Sequence, residues 1–200
     1  GGHASAPPKN SPVARLAAFV DSMEKHPPFR KKFEPEVSAM FARLAAYAPF
    51  ALRLLFGNLW LFAPLMKLVM PALSPQAGAM LRTTAAFTML SGSDACNVLP
   101  QEASVWANLR FIPHQGMDES LALIKKRAEK YGIETEVLSA SDYSAPADIH
   151  GEAWRRVTDT IAEVFPGLAW SPYVMTGATD AKNYQAICDN CIRFAPVIYG

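Results

Sequence analysis

The sequence predicts an α+β protein, because two strand patterns stand in its middle and amphipathic helical patterns lie on both sides of them. In residues 103–112 the apolar side chains occupy every second position, which is the period of a strand with one buried face. Residues 84–90 are rich in threonine, phenylalanine and small apolar residues, which suit a half-buried pleated surface. The joining segment 91–101 is too long for a tight hairpin and predicts a shaped loop.

Two helical patterns are predicted before the strands. Asn10 or Ser11 can cap a helix that has Pro12 at its first position and stops at His26, which two prolines follow. A second helical pattern begins at Pro35. Residues 1–10 contain glycines, prolines and short polar residues, and this composition predicts a loop.

A further helix and strand are predicted after residue 113. Acidic residues at 118–119 open the helix, basic residues follow in its last turns, and Gly132 is a natural stop. Residues 133–138 alternate like a short strand. With one more strand before residue 1, the whole order is the βαββαβ unit of a ferredoxin-like fold. The helices of such a unit would cover one face of the sheet and leave the other face open.

The last third of the chain has a second pattern. Residues 139–150 are polar and predict a domain boundary, and residues 154–164 form an amphipathic helical pattern. Residues 169–175 and 192–198 look like strands, with a turn and a short helix to residue 187 between them. Strand, helix and strand at this spacing suggest part of a parallel α/β domain, which about 50 residues are too few to close.

We therefore predict two domains, residues 1–141 and residues 145–200, the second of them partial. The first carries a hydrophobic helical insertion at about 35–80. Because the chain begins with Gly1-Gly2-His3, without an initiator methionine, a cationic n-region or a signal-peptide core, we expect a piece of a longer protein. Its localisation cannot be read from the sequence.

The most hydrophobic stretch is residues 47–73, which Pro49 and Pro64 are expected to break into separate helices. A transmembrane span needs about 20 nearly uninterrupted apolar residues. Three polar residues interrupt this stretch: Arg53, Asn58 and Lys67. We therefore predict no transmembrane segment. A helical insertion that packs on the sheet or on a partner is one interpretation, and a wall for an acyl chain or a surface that touches a membrane is the other.

The net charge and the number of cysteines argue against several other classes of protein. A net charge of +1 without a basic run gives no reason to expect nucleic acid as a partner. Three cysteines are too few for a disulfide scaffold. Cys188 and Cys191 have the spacing of a redox or metal motif, but there is no second pair, so we expect them to be packing residues.

Three polar residues are candidates for binding a substrate. Asn97 lies in the loop between the strands, and Arg110 lies on the strand face turned away from the apolar side. An amide and a guanidinium can together bind a carboxylate, although each could also be an ordinary exposed side chain. His3 lies among small neighbours that would let another surface approach it, and a solvated loop histidine is its alternative interpretation.

The motifs GGHASAPP, NVLP and TGATDAKNY, with Arg110 between the last two, follow one another along the chain. In this order they resemble the zinc-dependent exopeptidases and amidohydrolases that include carboxypeptidase G, aminoacylase and succinyl-diaminopimelate desuccinylase. Residues 58–65, NLWLFAPL, look most like the branch of carboxypeptidase S and the N-fatty-acyl-amino-acid hydrolases. The resemblance implies a catalytic α/β domain with two zinc ions and an inserted ferredoxin-like lid that forms a homodimer. Residues 1–141 would be that lid without its first strand.

The resemblance also implies roles for five residues. His3 would polarise the scissile carbonyl, commonly in the active site of the partner subunit, and Asn97 and Arg110 would hold the carboxylate of a peptide or N-acyl amino acid. Gly177 and Thr179 would belong to a turn that lines the substrate pocket. In that turn and its neighbourhood, Ala178 and Lys182 stand where the family commonly has glycine and arginine.

The family's zinc ligands have no match in this chain. None of the four histidines, at positions 3, 26, 114 and 150, has a ligand-like spacing to another histidine or acid. We therefore expect this chain to bind no metal and to hydrolyse nothing by itself, while the complete enzyme would hold two zinc ions. Two hypotheses stay open: a lid with part of a metallohydrolase, or a non-catalytic dimerisation module whose hydrophobic surface takes acyl chains or partners.

Overall fold

A computed structural model describes residues 2–175, 177 and 179–195 of the chain. In chain order the helices and strands are β1 (Gly2–His3), α1 (Pro12–Lys25), α2 (Pro35–Ala45), α3 (Phe50–Gly57), α4 (Leu59–Leu73), α5 (Pro75–Ala79), β2 (Thr84–Ser91), β3 (Val98–Leu99), β4 (Ser104–Arg110), α6 (Met117–Glu129), α7 (Glu152–Val164) and α8 (Ala181–Tyr184). They are divided between two compact units. The first unit is Gly1–Arg30 with Arg82–Tyr143, and the second is Lys31–Leu81 with Ser144–Gly200.

The core of the first unit is an antiparallel pair of strands, β2 and β4, covered on one face by α1 and α6. Phe19 and Met23 of α1 and Ala128 of α6 are buried there against Phe87 and Leu109 of the sheet. Both central strands and both helices are present as predicted, β4 from its alternation and β2 from its composition. α1 also has the expected ends, since the Ser11 side chain accepts a hydrogen bond from the Ala14 N–H at its start and His26 is its C-cap.

A buried glutamine joins distant parts of the first unit. The side chain of Gln115 is 1% exposed. Its Oε1 accepts a hydrogen bond from the Arg30 N–H at 2.8 Å, and its Nε2 donates to Glu119 Oε1 at 3.2 Å. Its backbone carbonyl accepts from the hydroxyl groups of Thr83 and Ser120, which are also buried. Because every polar atom of this cluster has a partner, its burial costs little.

In the second unit, α2, α3 and α4 form a hydrophobic cluster around Val37, Phe41, Met66 and Met70. The prediction that Pro64 breaks the helix was wrong, because α4 continues through both Pro64 and Pro71. A proline removes one hydrogen-bond donor from a helix, and here the buried methionines on the same helix offset that loss. The break lies instead at Asn58, whose side-chain amide donates to the Leu54 carbonyl at 2.9 Å.

Three further strand predictions were not fulfilled. Residues 133–138 and 169–175 form no strand, and neither do residues 192–195; the rest of the predicted strand 192–198 lies outside the described residues. The predicted short helix ends at Tyr184 rather than at residue 187. A strand is stable only where a neighbour takes up its backbone N–H and C=O groups, and no described segment pairs with these three.

The fold is therefore of the predicted α+β class. The described strands form two sheets of two strands each, β1 with β3 and β2 with β4, in place of the single sheet of a ferredoxin-like unit. Among the described residues no individual helix is both long enough and apolar enough to cross a bilayer. Only α3 and α4 taken together reach that length and composition, and they meet at a bend of 107°.

Candidate functional site

The short pair β1–β3 holds His3 beside Asn97. Gly2 stands opposite Leu99 and His3 opposite Val98, and the Ala4 N–H donates to the Asn97 carbonyl at 3.0 Å. The sequence predicts a loop over residues 1–10, and the structure has the short strand β1 there. Its partner β3 lies in the predicted loop between the central strands. The structure thus brings the backbone around two of the predicted site residues together, although 94 positions separate them in the sequence.

The His3 imidazole is exposed and hydrogen-bonded on one side only among the described contacts. Its Nδ1 accepts a hydrogen bond from the Ser5 N–H at 3.2 Å and lies 2.8 Å from Ser5 Oγ. The Ala6 N–H donates to the His3 carbonyl at 3.2 Å, which closes a turn over residues 3–6. Nε2 faces away from these contacts, so it can meet an incoming ligand. Ser5 was missed by sequence reasoning, although a serine two residues after the histidine was the available signal.

A wide, solvent-open pocket of about 800 Å³ adjoins His3. Gly2, His3 and residues 92–94 and 98–102 line it. Val98, Leu99 and Pro100 make one part of the wall apolar, while Asp94 and Glu102 contribute carboxylates. The pocket therefore presents apolar and charged groups side by side next to the imidazole.

Arg110 lies outside this pocket. The pocket is built on the end of the central sheet where Ser91 pairs with Ser104, whereas Arg110 pairs with Thr84 at the other end. Six residue steps along β4, at about 3.3 Å each, separate these ends by roughly 20 Å. Arg110 is exposed, as predicted, because its neighbour Leu109 is the residue that packs toward the helices.

The two predicted residues of the C-terminal turn belong to the second unit. Gly177 is exposed with open space around its Cα. The Thr179 hydroxyl accepts a hydrogen bond from Arg193 Nε at 2.6 Å. Sequence reasoning did not find Arg193, which stands 14 residues later in an apolar segment. Thr176 and Ala178 of the same turn lie outside the described residues.

No cluster of three or more histidine, cysteine or acidic side chains within the described part of the chain could hold a metal ion. Cys188 and Cys191 are free thiols, and the Cys191 Sγ–H donates to the Cys188 carbonyl at 3.5 Å. Partial burial, and after it the hydrogen bond and charge of Cys188, raises the pKa of the Cys191 thiol. A raised pKa makes a thiol less reactive at neutral pH. Cys191 is half-buried, but Cys188 is exposed, so the predicted packing role does not fit Cys188.

Comparison with known families decides the affiliation of the chain. The family described as "Peptidase dimerisation domain" matches residues 1–136. The chain belongs to this family. The matched residues include the His3 pocket, both central strands and α6, so the predicted resemblance to these peptidases is confirmed.

The relatives of this peptidase dimerisation domain extend over nearly all of the chain. It is 29% identical over 199 residues to "Probable carboxypeptidase S-like 2" of Dictyostelium discoideum, covering 99% of this chain and 38% of that protein. It is 32% and 31% identical over 199 residues to the "N-fatty-acyl-amino acid synthase/hydrolase PM20D1" of Bos taurus and Homo sapiens, covering 98% of this chain and 39% of each relative. The chain thus spans about two fifths of the length of these curated relatives. No solved structure matches it significantly.

Proposed function

We propose that the chain is the lid and part of the catalytic domain of a zinc-dependent carboxypeptidase or N-acyl-amino-acid amidohydrolase. The reaction is the hydrolysis of a peptide or amide bond beside a free carboxylate. The observation that carries this proposal is the exposed His3 imidazole at an open pocket, within a chain of the peptidase dimerisation family. The relatives' names, a carboxypeptidase and an N-fatty-acyl-amino acid synthase/hydrolase, agree with this bond type.

In this proposal His3 stabilises the developing oxyanion of the scissile carbonyl. Its Nδ1 is occupied by Ser5, so Nε2 is the ring atom that can meet the carbonyl oxygen. A donor aimed at this oxygen stabilises the transition state more than the ground state, because negative charge develops there during the attack. The carbonyl is thereby made more open to attack by water.

Arg110 and Asn97 bind the free carboxylate of the substrate. A guanidinium forms strong charge-assisted hydrogen bonds to a carboxylate, and Arg110 is exposed on the sheet face away from the helices. Since Arg110 lies at the far end of β4 from the His3 pocket, one chain does not bring both groups to one small substrate. We therefore propose that His3 and Asn97, which the β1–β3 pair holds side by side, together complete the active site of the partner subunit in a homodimer. Gly177 and Thr179 contribute backbone and hydroxyl groups to the pocket turn.

The zinc ions belong to the rest of the protein. The described residues contain no group that fits a zinc site, so no step of the reaction is assigned to a metal on this chain. The two ions expected for the family would be held by residues outside it. In consequence the chain alone is proposed to be inactive.

The ferredoxin-like fold of the lid is part of the same proposal. One edge of β4 is unpaired among the described residues, and residues 133–138 follow α6 without a partner. A strand from outside the described residues that bound between these two segments would complete a ferredoxin-like lid. Its backbone would take up the N–H and C=O groups that the two segments leave open.

The substrate preference tests the proposed function. The complete protein with zinc should hydrolyse an N-acyl amino acid with kcat/KM at least about tenfold above that for its methyl ester, since the ester lacks the charge that Arg110 binds. Hydrolysis rates would be measured for both compounds at one pH. Equal kcat/KM values for acid and ester, or no turnover of either, would contradict the proposal.

The second candidate function is an interaction module, and an exposed apolar stripe favours it. The outer side of α4 carries Trp60, Leu61, Leu65, Leu68 and Leu73, and Trp60 is 81% exposed. Isolated exposed apolar residues are ordinary, but a continuous stripe of this kind marks a contact surface. In this candidate a second copy of the chain covers the stripe, and residues 37–93, which contain no acidic residue, bring no negative charge to the contact.

Leu68→Glu tests this surface, because a buried charge without a partner strongly disfavours association. If α4 mediates dimerisation, the variant should be monomeric by light scattering at concentrations where the natural chain is dimeric. Leu68 is 69% exposed in the single chain, and Val164→Glu on α7 is the matched control at 59%. A natural chain that is monomeric, or a Leu68→Glu variant that dimerises as the control does, would exclude this surface.

A further inference from the structure

We infer that Ser5 is a positioning residue that holds the neutral His3 imidazole in the tautomer with its proton on Nε2. The inference concerns the state of the free imidazole, and only its effect on catalysis rests on the proposed function. Ser5 makes two contacts with the ring, of which the first carries the inference. The Ser5 N–H donates to Nδ1 at 3.2 Å, and Ser5 Oγ lies 2.8 Å from the same nitrogen.

The first contact decides the tautomer. A backbone N–H can only donate a hydrogen bond, so the nitrogen that accepts it must present its lone pair. Neutral imidazole has one proton on its two ring nitrogens. If Nδ1 accepts, Nε2 carries the proton. The Ser5 hydroxyl fits either tautomer, because it can rotate to donate to a bare Nδ1 or accept from a protonated one. The backbone N–H is therefore the contact that distinguishes them.

The local backbone explains why Ser5 reaches this position. β1 ends at His3, and the hydrogen bond from the Ala6 N–H to the His3 carbonyl turns the chain back immediately afterwards. This turn places the Ser5 N–H and hydroxyl beside the ring from which they are separated by one residue. Pro7 and Pro8 follow and restrict the backbone beyond the turn. The arrangement is thus local to residues 3–8.

The tautomer matters because the two forms present opposite groups to a substrate. With the proton on Nε2, the exposed side of His3 is a hydrogen-bond donor, which a carbonyl oxygen or an oxyanion attracts. With the proton on Nδ1, the same side would be a lone pair, which a carbonyl oxygen repels. Ser5 therefore acts on the reaction through His3 without contacting the substrate.

Nuclear magnetic resonance measures the tautomer directly. In the chain labelled with nitrogen-15 in histidine, at a pH where imidazole is neutral, His3 should have the shift of a protonated Nε2 and an unprotonated Nδ1. A His3→Gln spectrum assigns the signals, and His26, outside this turn, is the internal control. Ser5→Ala keeps the backbone N–H and should keep the natural tautomer, whereas Ser5→Pro removes that N–H and should add a fraction of the other tautomer. A protonated Nδ1 in the natural chain, or an unchanged ratio in Ser5→Pro, would overturn the inference.

Kinetics then separate this inference from the proposed function. In the complete enzyme Ser5→Pro should lower kcat about threefold to tenfold with KM unchanged, which is the size of effect expected for one hydrogen bond. Ser5→Ala, which keeps the backbone N–H, should keep the natural kcat. A large loss of kcat in His3→Gln with none in Ser5→Pro would overturn the role of Ser5 alone, whereas an unchanged His3→Gln enzyme would overturn the proposed function itself.

Discussion

Replacing His3 with alanine in the complete enzyme should lower kcat by about a hundredfold to a thousandfold, which is the usual effect of removing one oxyanion donor. KM should change little, because the hydrogen bond strengthens only as charge develops on the carbonyl oxygen. Steady-state hydrolysis of an N-acyl amino acid measures both constants. The exposed ring at the pocket carries this expectation, since its Nε2 can reach a ligand without moving Ser5.

The matched control is His26→Ala. His26 is an exposed histidine at the end of α1, outside the pocket lining, so its loss should leave kcat unchanged. Zinc content and thermal stability of the two variants should equal those of the natural enzyme. If His3→Ala retains kcat within a factor of about three, which is less than the effect expected for one hydrogen bond, His3 has no role in the chemical step.

Replacing Arg110 with alanine should raise KM by about tenfold to a hundredfold for substrates with a free carboxylate, because a charge-assisted hydrogen bond is lost. The change should disappear for the methyl ester of the same substrate, which has no charge to bind. Arg110 is exposed on β4 and none of the described ion pairs includes it, so its replacement should leave the fold intact. Initial rates over a range of both substrates give the comparison.

Asn108→Ala is the control for this variant, because Asn108 is also exposed and lies two residues away on the same strand face. Its KM should stay at the natural value. Arg110→Lys should be intermediate, since an ammonium keeps the charge but loses the two-pronged geometry. An equal rise in KM for acid and ester after Arg110→Ala would show that the arginine acts on something other than the carboxylate.

The central strands could be predicted from the sequence because the alternation of β4 and the residue types of β2 are local properties. Leu109 and Arg110 are assigned to opposite faces by the period of two alone, and the structure agrees. β1 and β3 could not be found in this way, since a pair of two-residue strands contains no period. His3 was nevertheless proposed as a site residue, through the motif around it rather than through its strand.

The predictions that failed concern features that depend on contacts with residues distant in the sequence. Residues 133–138 alternate as a strand should, but alternation does not supply the neighbour that a strand needs. Pro64 stands inside a helix because the burial of Met66 and Met70 is a tertiary effect that local propensity does not contain. Gln115 is buried because partners about 4, 32 and 85 residues away satisfy it. No window of sequence shows such partners.

The position of Arg110 at one end of β4 and of the His3 pocket at the other has a genetic consequence. If each active site takes its arginine from one chain and its histidine from the other, two chains with different substitutions can complement each other. A mixed dimer of His3→Ala and Arg110→Ala chains would keep one sound site and one with both lesions. The two mutations would then complement each other, and co-expression of the two variants would restore activity that is missing when either is expressed alone.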